Sequence, residues 1–180
     1  GSQLSADGGA GMAILVTHIS ASVATLVWVA IEAITNKKPT LVGAATGTIA
    51  GLATVTPAAG VLGPGGAIII GLSGGLFDIL LQLNQNKAQK DDSLDVFAVH
   101  VVGGISGILL LPFLSSTALG GTGEGNFTTQ LMGTAAVVLW SVIATTIILY
   151  ALKKTLGLRV SEEQEYDGLD ISLHGESAYN

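Results

Sequence analysis

The chain has 180 residues, of which 11% are charged and 49% are hydrophobic, and it contains 25 glycines and no cysteine. Soluble domains carry about a quarter charged residues, so this composition argues against a soluble domain and favours glycine-rich helices packed in a bilayer. The net charge of −6 includes only seven Lys and Arg residues, which form no basic stripe, so nucleic acid is not expected as a partner.

Apolar runs of bilayer length occupy five stretches: 11–34, 40–60, 65–83, 94–115 and 128–152. A helix needs about 20 residues to cross the hydrocarbon, and hydrophilic or Gly/Pro-rich breaks separate the runs. We therefore predict an all-α integral membrane fold with five transmembrane helices. The transmembrane domain covers 1–155, and 156–180 form a cytoplasmic tail.

The cations indicate the orientation of these helices. Every Lys and Arg follows the first, third or fifth run: Lys37, Lys38, Lys87, Lys90, Lys153, Lys154 and Arg159. Successive connections alternate sides of the membrane, so all seven cations fall on one side, which the positive-inside rule makes cytoplasmic. The N-terminus is then outside and the C-terminus inside. An outside start without a signal peptide predicts further helices upstream.

Glycines repeat at four-residue spacing on three of the runs: Gly43, Gly47 and Gly51, then Gly71 and Gly75, then Gly103 and Gly107. Such small faces let helix backbones approach closely in lipid. We interpret them as helix-packing faces.

His100 is the best candidate for a functional side chain, because an ionisable group inside a membrane helix is costly. It lies about 9 Å along the fourth helix, and α-helical spacing places Val96, Gly103, Gly104 and Gly107 on its face. A desolvated, neutral imidazole offers one donor and one acceptor to a small polar solute or a proton. A histidine hydrogen-bonded between helices fits the sequence equally well.

Other polar residues have structural interpretations. Asp95 opens the fourth helix, where a carboxylate caps free N–H groups. We expect His18 to hydrogen-bond to a neighbouring helix. Glu32 and Asp78 lie near the cytoplasmic ends of their runs and are weak site candidates.

No enzyme, metal or cofactor is predicted. A triad of Ser2, Asp95 and His100 fails because Ser2 lies outside and Asp95 inside, about a bilayer apart. The three histidines are scattered without an HExxH motif, and there is no cysteine, so the chain lacks the spacing of a zinc site.

Several collinear motifs resemble those of the Amt/Rh family of ammonium transporters. They are NKKPTLVGA at 36–44, GLATVTPAAG at 51–60, GPGGA at 63–67, DVFAVH at 95–100, and the tail sequences at 157–165, 168–170 and 174–180. The resemblance covers essentially the whole chain and places it at helices seven to eleven of an eleven-helix fold built from two inverted repeats.

The resemblance implies roles for individual residues. Ser2, at the end of helix six, is similar to the serine of the outer ammonium site, Thr56 to a threonine near the pore, and His100 to the second of two pore histidines. The first pore histidine, the aromatic gate and the stacking tryptophan of the family have no counterpart in this sequence.

The resemblance further implies a plasma-membrane homotrimer with one pore per subunit. Ammonium would be recruited outside and deprotonated, and ammonia would pass His100 while its proton travels separately. We expect this chain alone to be inactive. The alternative is a non-conducting membrane module whose tail, 156–180, binds a PII-type signalling protein.

Overall fold

The structure, a computed structural model, describes residues 2–87, 92 and 95–177. Helices provide all the regular structure of these residues, which confirms the all-α fold. In chain order they are α1 (Gly8–Thr35), α2 (Leu41–Val55), α3 (Pro64–Lys87), a π-helical turn (Phe97–Val102) that continues into α4 (Gly103–Leu114), a 3₁₀ turn (Thr117–Leu119), α5 (Phe127–Thr155), α6 (Glu162–Asp167) and a second π-helical turn (Asp170–His174).

Side chains next to the first two helices satisfy their free N–H groups. The Asp7 carboxylate accepts hydrogen bonds from the N–H groups of Gly9, at 2.9 Å, and Ala10, at 3.3 Å. The Thr40 hydroxyl accepts from the N–H of Gly43 at 2.8 Å, and the Thr40 N–H donates to the buried Glu32 carboxylate at 2.8 Å. Glu32 therefore fixes the turn between α1 and α2.

Four helical segments of the described chain are long and apolar enough to cross a membrane: Gly8–Thr35, Pro64–Asn84, Phe97–Leu114 and Phe127–Thr155. The predicted span 40–60 is wrong at its end, because α2 has 15 residues and ends at Val55, giving a helix of about 22 Å. Pro57 has no N–H to continue the helix. The chain proceeds in turns instead, with the Ala58 N–H donating to the Val55 carbonyl at 2.9 Å.

The spaced glycines pack helix against helix, as predicted. Gly51 lies against α1, where a Cβ would come within 2.8 Å of the Ala21 Cα, and the Ser20 hydroxyl donates to the Gly51 carbonyl at 2.9 Å. Gly71 approaches Ser20 and Gly75 approaches Ala24 from the other side, with a Cβ 2.7 and 2.9 Å from the two carbonyl oxygens. Helix α1 is thus held between α2 and α3 by backbone contacts.

A buried cluster joins α1, α2 and α3 to the π-helical turn. It consists of Trp28, Ala50, Ile79 and Val99. Because Val99 belongs to the π-helical turn, this cluster positions the residue before His100.

The segment after α4 folds onto the connection between α2 and α3. The Thr122 N–H donates to the Val61 carbonyl at 3.0 Å, the Gly123 N–H donates to the Ser115 carbonyl at 2.7 Å, and the Ser115 hydroxyl donates to the Glu124 carbonyl. These bonds close the end of the helices on the side that we predict to be outside.

The chain divides into two compact units, Gly1–Thr134 and Ala135–Asn180. In the second unit the remainder of α5 has no buried residue. Its tail has a capping box between Ser161 and Gln164, and Arg159 donates to both Glu165 carboxylate oxygens, at 2.6 and 3.0 Å. The hydrogen bond from Arg159 lowers the pKa of the Glu165 carboxyl.

Candidate functional site

An open cavity of about 760 Å³ lies where α2 ends. The Ser2 hydroxyl donates to the Thr56 carbonyl at 3.4 Å, and the Thr56 hydroxyl donates to the Leu52 carbonyl at 2.5 Å. Polar, apolar and acidic residues line the cavity: Ser2, Thr17, Thr56, Pro57, Gly60, Val61, Leu111, Glu124, Gly125 and Gln130. The structure therefore brings Ser2 and Thr56 together, although they are 54 residues apart.

The local chain path explains this meeting. Pro57 stops α2, so the backbone turns after Val55 and presents the Thr56 carbonyl to Ser2. Gly60 passes directly over the Ser2 carbonyl, a contact that a Cβ would block. The cavity offers hydroxyl and carbonyl oxygens, which accept hydrogen bonds from a small N–H donor.

His100 and Val96 lie apart from this cavity and do not line it. His100 belongs to the π-helical turn, and its side chain is exposed, as is that of Val96. Neighbouring Ala98 and Val99 are buried against α2 and α3. The imidazole thus projects from the open face of a helix whose opposite face is packed.

The predicted neighbours of His100 are wrong in part. Gly103 and Gly107 are buried on the packed face: a Cβ at Gly103 would lie 3.0 Å from the Thr54 hydroxyl, and Gly107 abuts the Thr54 carbonyl. Gly104 has no atom near its missing side chain. The α-helical offsets fail because the π-helical turn changes the register between His100 and α4.

The capping role predicted for Asp95 is also wrong. The Asp92 carboxylate accepts from the N–H groups of Val96 and Phe97, both at 2.9 Å. Asp95 has a positive φ of 55°, and its carboxylate accepts from the Gln82 amide at 2.9 Å. Partial burial raises the pKa of the Asp95 carboxyl, while the bond from Gln82 opposes that shift. Asp95 keeps a structural role, as a link to α3.

His18 does not form the predicted bond to a neighbouring helix within the described residues. Its side chain is exposed and lines a second cavity of about 630 Å³ together with Thr17 and Thr48. The polar link between α1 and α2 at this level is the hydroxyl pair of Thr25 and Thr48, at 2.7 Å.

Asp78 is the feature that sequence reasoning underrated. Its side chain is completely buried, and both carboxylate oxygens lack a hydrogen-bond partner within the structure described. The signal was its place inside an apolar run, beside Gly74 and Gly75. No group of three or more His, Cys, Asp or Glu suited to a metal occurs in residues 2–87, 92 and 95–177.

Comparison with known proteins identifies this arrangement. The model of the Ammonium Transporter Family matches residues 1–179. The ammonium transporter of Aquifex aeolicus (strain VF5) is 42% identical over 187 residues, which cover 100% of this chain and 44% of the relative. Ammonium transporter Amt1 of Archaeoglobus fulgidus is 40% identical, with 99% and 47% covered.

The fold agrees with that of a solved relative. The crystal structure of Saccharomyces cerevisiae Mep2 matches with a TM-score of 0.76 and 29% identity over 86% of this chain and 38% of Mep2. The chain spans slightly less than half the length of the two curated relatives. It is a multi-pass membrane chain, and it belongs to the ammonium transporter family.

Proposed function

We propose that the protein containing this chain carries ammonium or ammonia across a membrane, and that this chain supplies one wall of the pore. The observation that carries the proposal is the imidazole of His100, exposed on the open face of a membrane-spanning helix while the other face is packed. A polar side chain that is exposed at membrane depth requires a polar path or a polar partner beside it.

The physical problem for such a pore is the charge of ammonium. Moving a bare cation into hydrocarbon costs on the order of tens of kcal/mol, so the pore must remove or stabilise the charge. In the proposed path the cation binds outside and loses its proton. Ammonia then passes His100, whose neutral imidazole relays protons through one donor and one acceptor nitrogen.

The cavity of Ser2 and Thr56 is the proposed outer recruitment site. Its oxygen atoms accept hydrogen bonds from ammonium N–H groups, and Glu124 adds the only formal charge among its lining residues. Val96, exposed four residues before His100, is the apolar neighbour that we place on the path.

The same proposal includes the membrane, the orientation and the oligomeric state of the protein. The helices cross a plasma membrane with the N-terminus outside and the tail in the cytoplasm, because the cations then all face inward. The full-length protein is a homotrimer, with one pore in each subunit. The chain alone does not conduct, since it supplies less than half the length of its relatives.

The test replaces His100 by Ala in the full-length protein and measures methylammonium-coupled current in oocytes or proteoliposomes. We expect a loss on the order of 10²-fold, the usual contribution of a positioned proton-transfer group. His174→Ala is the matched control, because His174 is an exposed histidine of the tail. An unchanged current in the His100→Ala variant refutes the proposal.

A second proposal concerns the tail, which docks a PII-type regulatory protein. The supporting observation is the local bonding of this short segment, since the capping box at Ser161 and the ion pair of Arg159 with Glu165 both favour the helical turn of α6. A preformed acidic turn loses little entropy on binding. The final residues, Ala178 to Asn180, lie outside the described residues.

The docking test removes the tail after residue 156 in the full-length protein and measures capture of the PII-type protein from the same organism. Capture by the intact protein and none by the truncated protein supports the proposal. Equal capture by both contradicts it, and transport by the truncated protein shows whether the tail acts on the pore.

A further inference from the structure

A carboxyl group buried in a membrane helix without a partner demands an explanation. Asp78 lies in α3, fully buried, and neither of its carboxylate oxygens receives a hydrogen bond from the described residues. An ionised carboxylate in this position would carry an uncompensated charge in apolar surroundings, which is among the most costly arrangements in a protein.

Among the residues that the structure describes, the helices packed against α3 hold no Lys or Arg to balance such a charge. Helix α3 packs against α1, α2, the π-helical turn and α4. The ionisable residues of α1 are His18, whose side chain is exposed, and Glu32, whose carboxylate accepts from the Thr40 N–H. Helices α2 and α4 contain no ionisable residue. The π-helical turn contains only His100, whose side chain is exposed. Lys87 lies nine residues farther along α3, about 13 Å away along the helix axis.

The polar hydrogens that Thr54 and Gly103 bring toward Asp78 are already in use. A Cβ at Gly103 would lie 3.1 Å from a carboxylate oxygen of Asp78 and 3.0 Å from the Thr54 hydroxyl, so these three residues meet at one point. The Thr54 hydroxyl donates to the Ala50 carbonyl at 2.8 Å, and the Gly103 N–H donates to the carbonyls of Ala98 and His100. The Thr54 hydroxyl oxygen thus remains beside the carboxyl as a hydrogen-bond acceptor.

From this placement we infer that Asp78 carries its proton and acts as a neutral hydrogen-bond donor that ties α3 and α2 to the turn bearing His100. The neutral acid resolves both difficulties, since it has no charge to balance and supplies the hydrogen that this acceptor lacks. The Thr54 hydroxyl oxygen, whose own hydrogen is committed to Ala50, is the side-chain acceptor at this meeting point.

Asp78 is then a positioning residue for His100, and this part of the inference rests on the proposed transport function. Gly103 follows the π-helical turn directly, and its lack of a side chain allows the carboxyl to approach the backbone. A hydrogen bond from Asp78 at this point holds the turn on its buried side, while the imidazole of His100 lies on the exposed side.

Infrared spectroscopy of the purified full-length protein in lipid tests the protonation directly. The difference spectrum between the original protein and Asp78→Asn at neutral pH should contain the carbonyl stretch of a protonated carboxylic acid. Asp7→Asn is the matched control, because Asp7 is exposed and accepts bonds from Gln3, Gly9 and Ala10. Its difference spectrum should contain carboxylate bands instead. Carboxylate bands for Asp78, or bands that depend on added monovalent cation, overturn the inference.

Transport measurements test the positioning role. Asn at position 78 keeps the size and a donor, so Asp78→Asn should retain methylammonium transport. Asp78→Leu keeps the volume without a donor, and it should lower the maximal rate while leaving the half-saturating concentration unchanged. Loss of transport in Asp78→Asn as complete as in His100→Ala contradicts the positioning role. The infrared result does not depend on the transported solute, so it stands or falls separately from the proposed function.

Discussion

The two sides of the π-helical turn at 97–102 have opposite surroundings. On the open side, His100 is exposed and Gly104 has empty space around it. On the packed side, Val99 and Gly103 are buried, and Asp78 is enclosed without a hydrogen-bond partner among the described residues. The π-helical turn thus carries the exposed side chain of His100 on one side and has the buried side chain of Asp78, from α3, on the other. The difference separates residues available to a solute from residues that hold the helix in place.

The largest expected effect concerns the packed side. Gly51→Ala places a methyl group against the backbone of Ser20 and Ala21, and overpacking of this kind costs about 1–3 kcal/mol. Thermal unfolding of the full-length protein in detergent should therefore occur at a lower temperature.

Gly133→Ala is the control for that experiment. Gly133 lies in α5 with no atom within 4 Å of its missing side chain, and Ala stabilises a helix by about 0.5–1 kcal/mol relative to Gly. Equal unfolding temperatures for the two variants would show that position 51 tolerates a side chain. That result would contradict the distinction between a packed side and an open side.

The next effect concerns the outer cavity on the open side. Ser2→Ala removes the hydroxyl that lies 3.4 Å from the Thr56 carbonyl. A hydrogen bond to a charged group contributes about 1.5–3 kcal/mol, so the half-saturating concentration of methylammonium should rise about tenfold or more. Concentration-dependent currents measure this change. Ser5→Ala, at an exposed residue that lines neither described cavity, should leave the value unchanged, and a similar rise there would remove Ser2 from the site.

The smallest effect concerns the tail. Arg159 lowers the pKa of Glu165, so their contact adds stability above the pKa of the unfolded chain and loses it as the pH falls through the lower folded value. The contribution is small because Arg159 is mostly exposed. Carboxyl ¹³C shifts of labelled Glu165 should titrate at a higher pH in Arg159→Gln than in the original protein. Identical titrations would show that the ion pair does not persist in solution.

Hydropathy predicted the existence and approximate bounds of α1, α3 and α5, because each is a long apolar run with polar ends. The end of α2 was not predicted, since apolar residues continue through a segment where Pro57 prevents helical hydrogen bonding. The π-helical turn has no sequence signature comparable to a proline or a glycine cap. Its register change therefore reversed the faces assigned to Gly103 and Gly107.

The sequence predicted which residues belong to the candidate site better than it predicted their contacts, because contacts depend on how the helices meet. Ser2, Thr56 and His100 were named through motifs, and the structure adds that Ser2 and Thr56 share a cavity while His100 lies apart. Asp92 rather than Asp95 caps the π-helical turn because the backbone at Asp95 takes a positive φ, which hydropathy does not encode. The place of Asp78 inside an apolar run indicated burial, but its enclosure depends on three helices meeting, and no local pattern identifies those helices.

The central claim is that the open side of the π-helical turn and α4 faces the conducting path. Gly104→Cys and Gly133→Cys form a matched pair, since both glycines lie in membrane-spanning helices with room for a side chain. A thiol-reactive methanethiosulfonate should block methylammonium current in the Gly104→Cys protein and leave the Gly133→Cys protein active. Equal currents after modification of both proteins would contradict the claim.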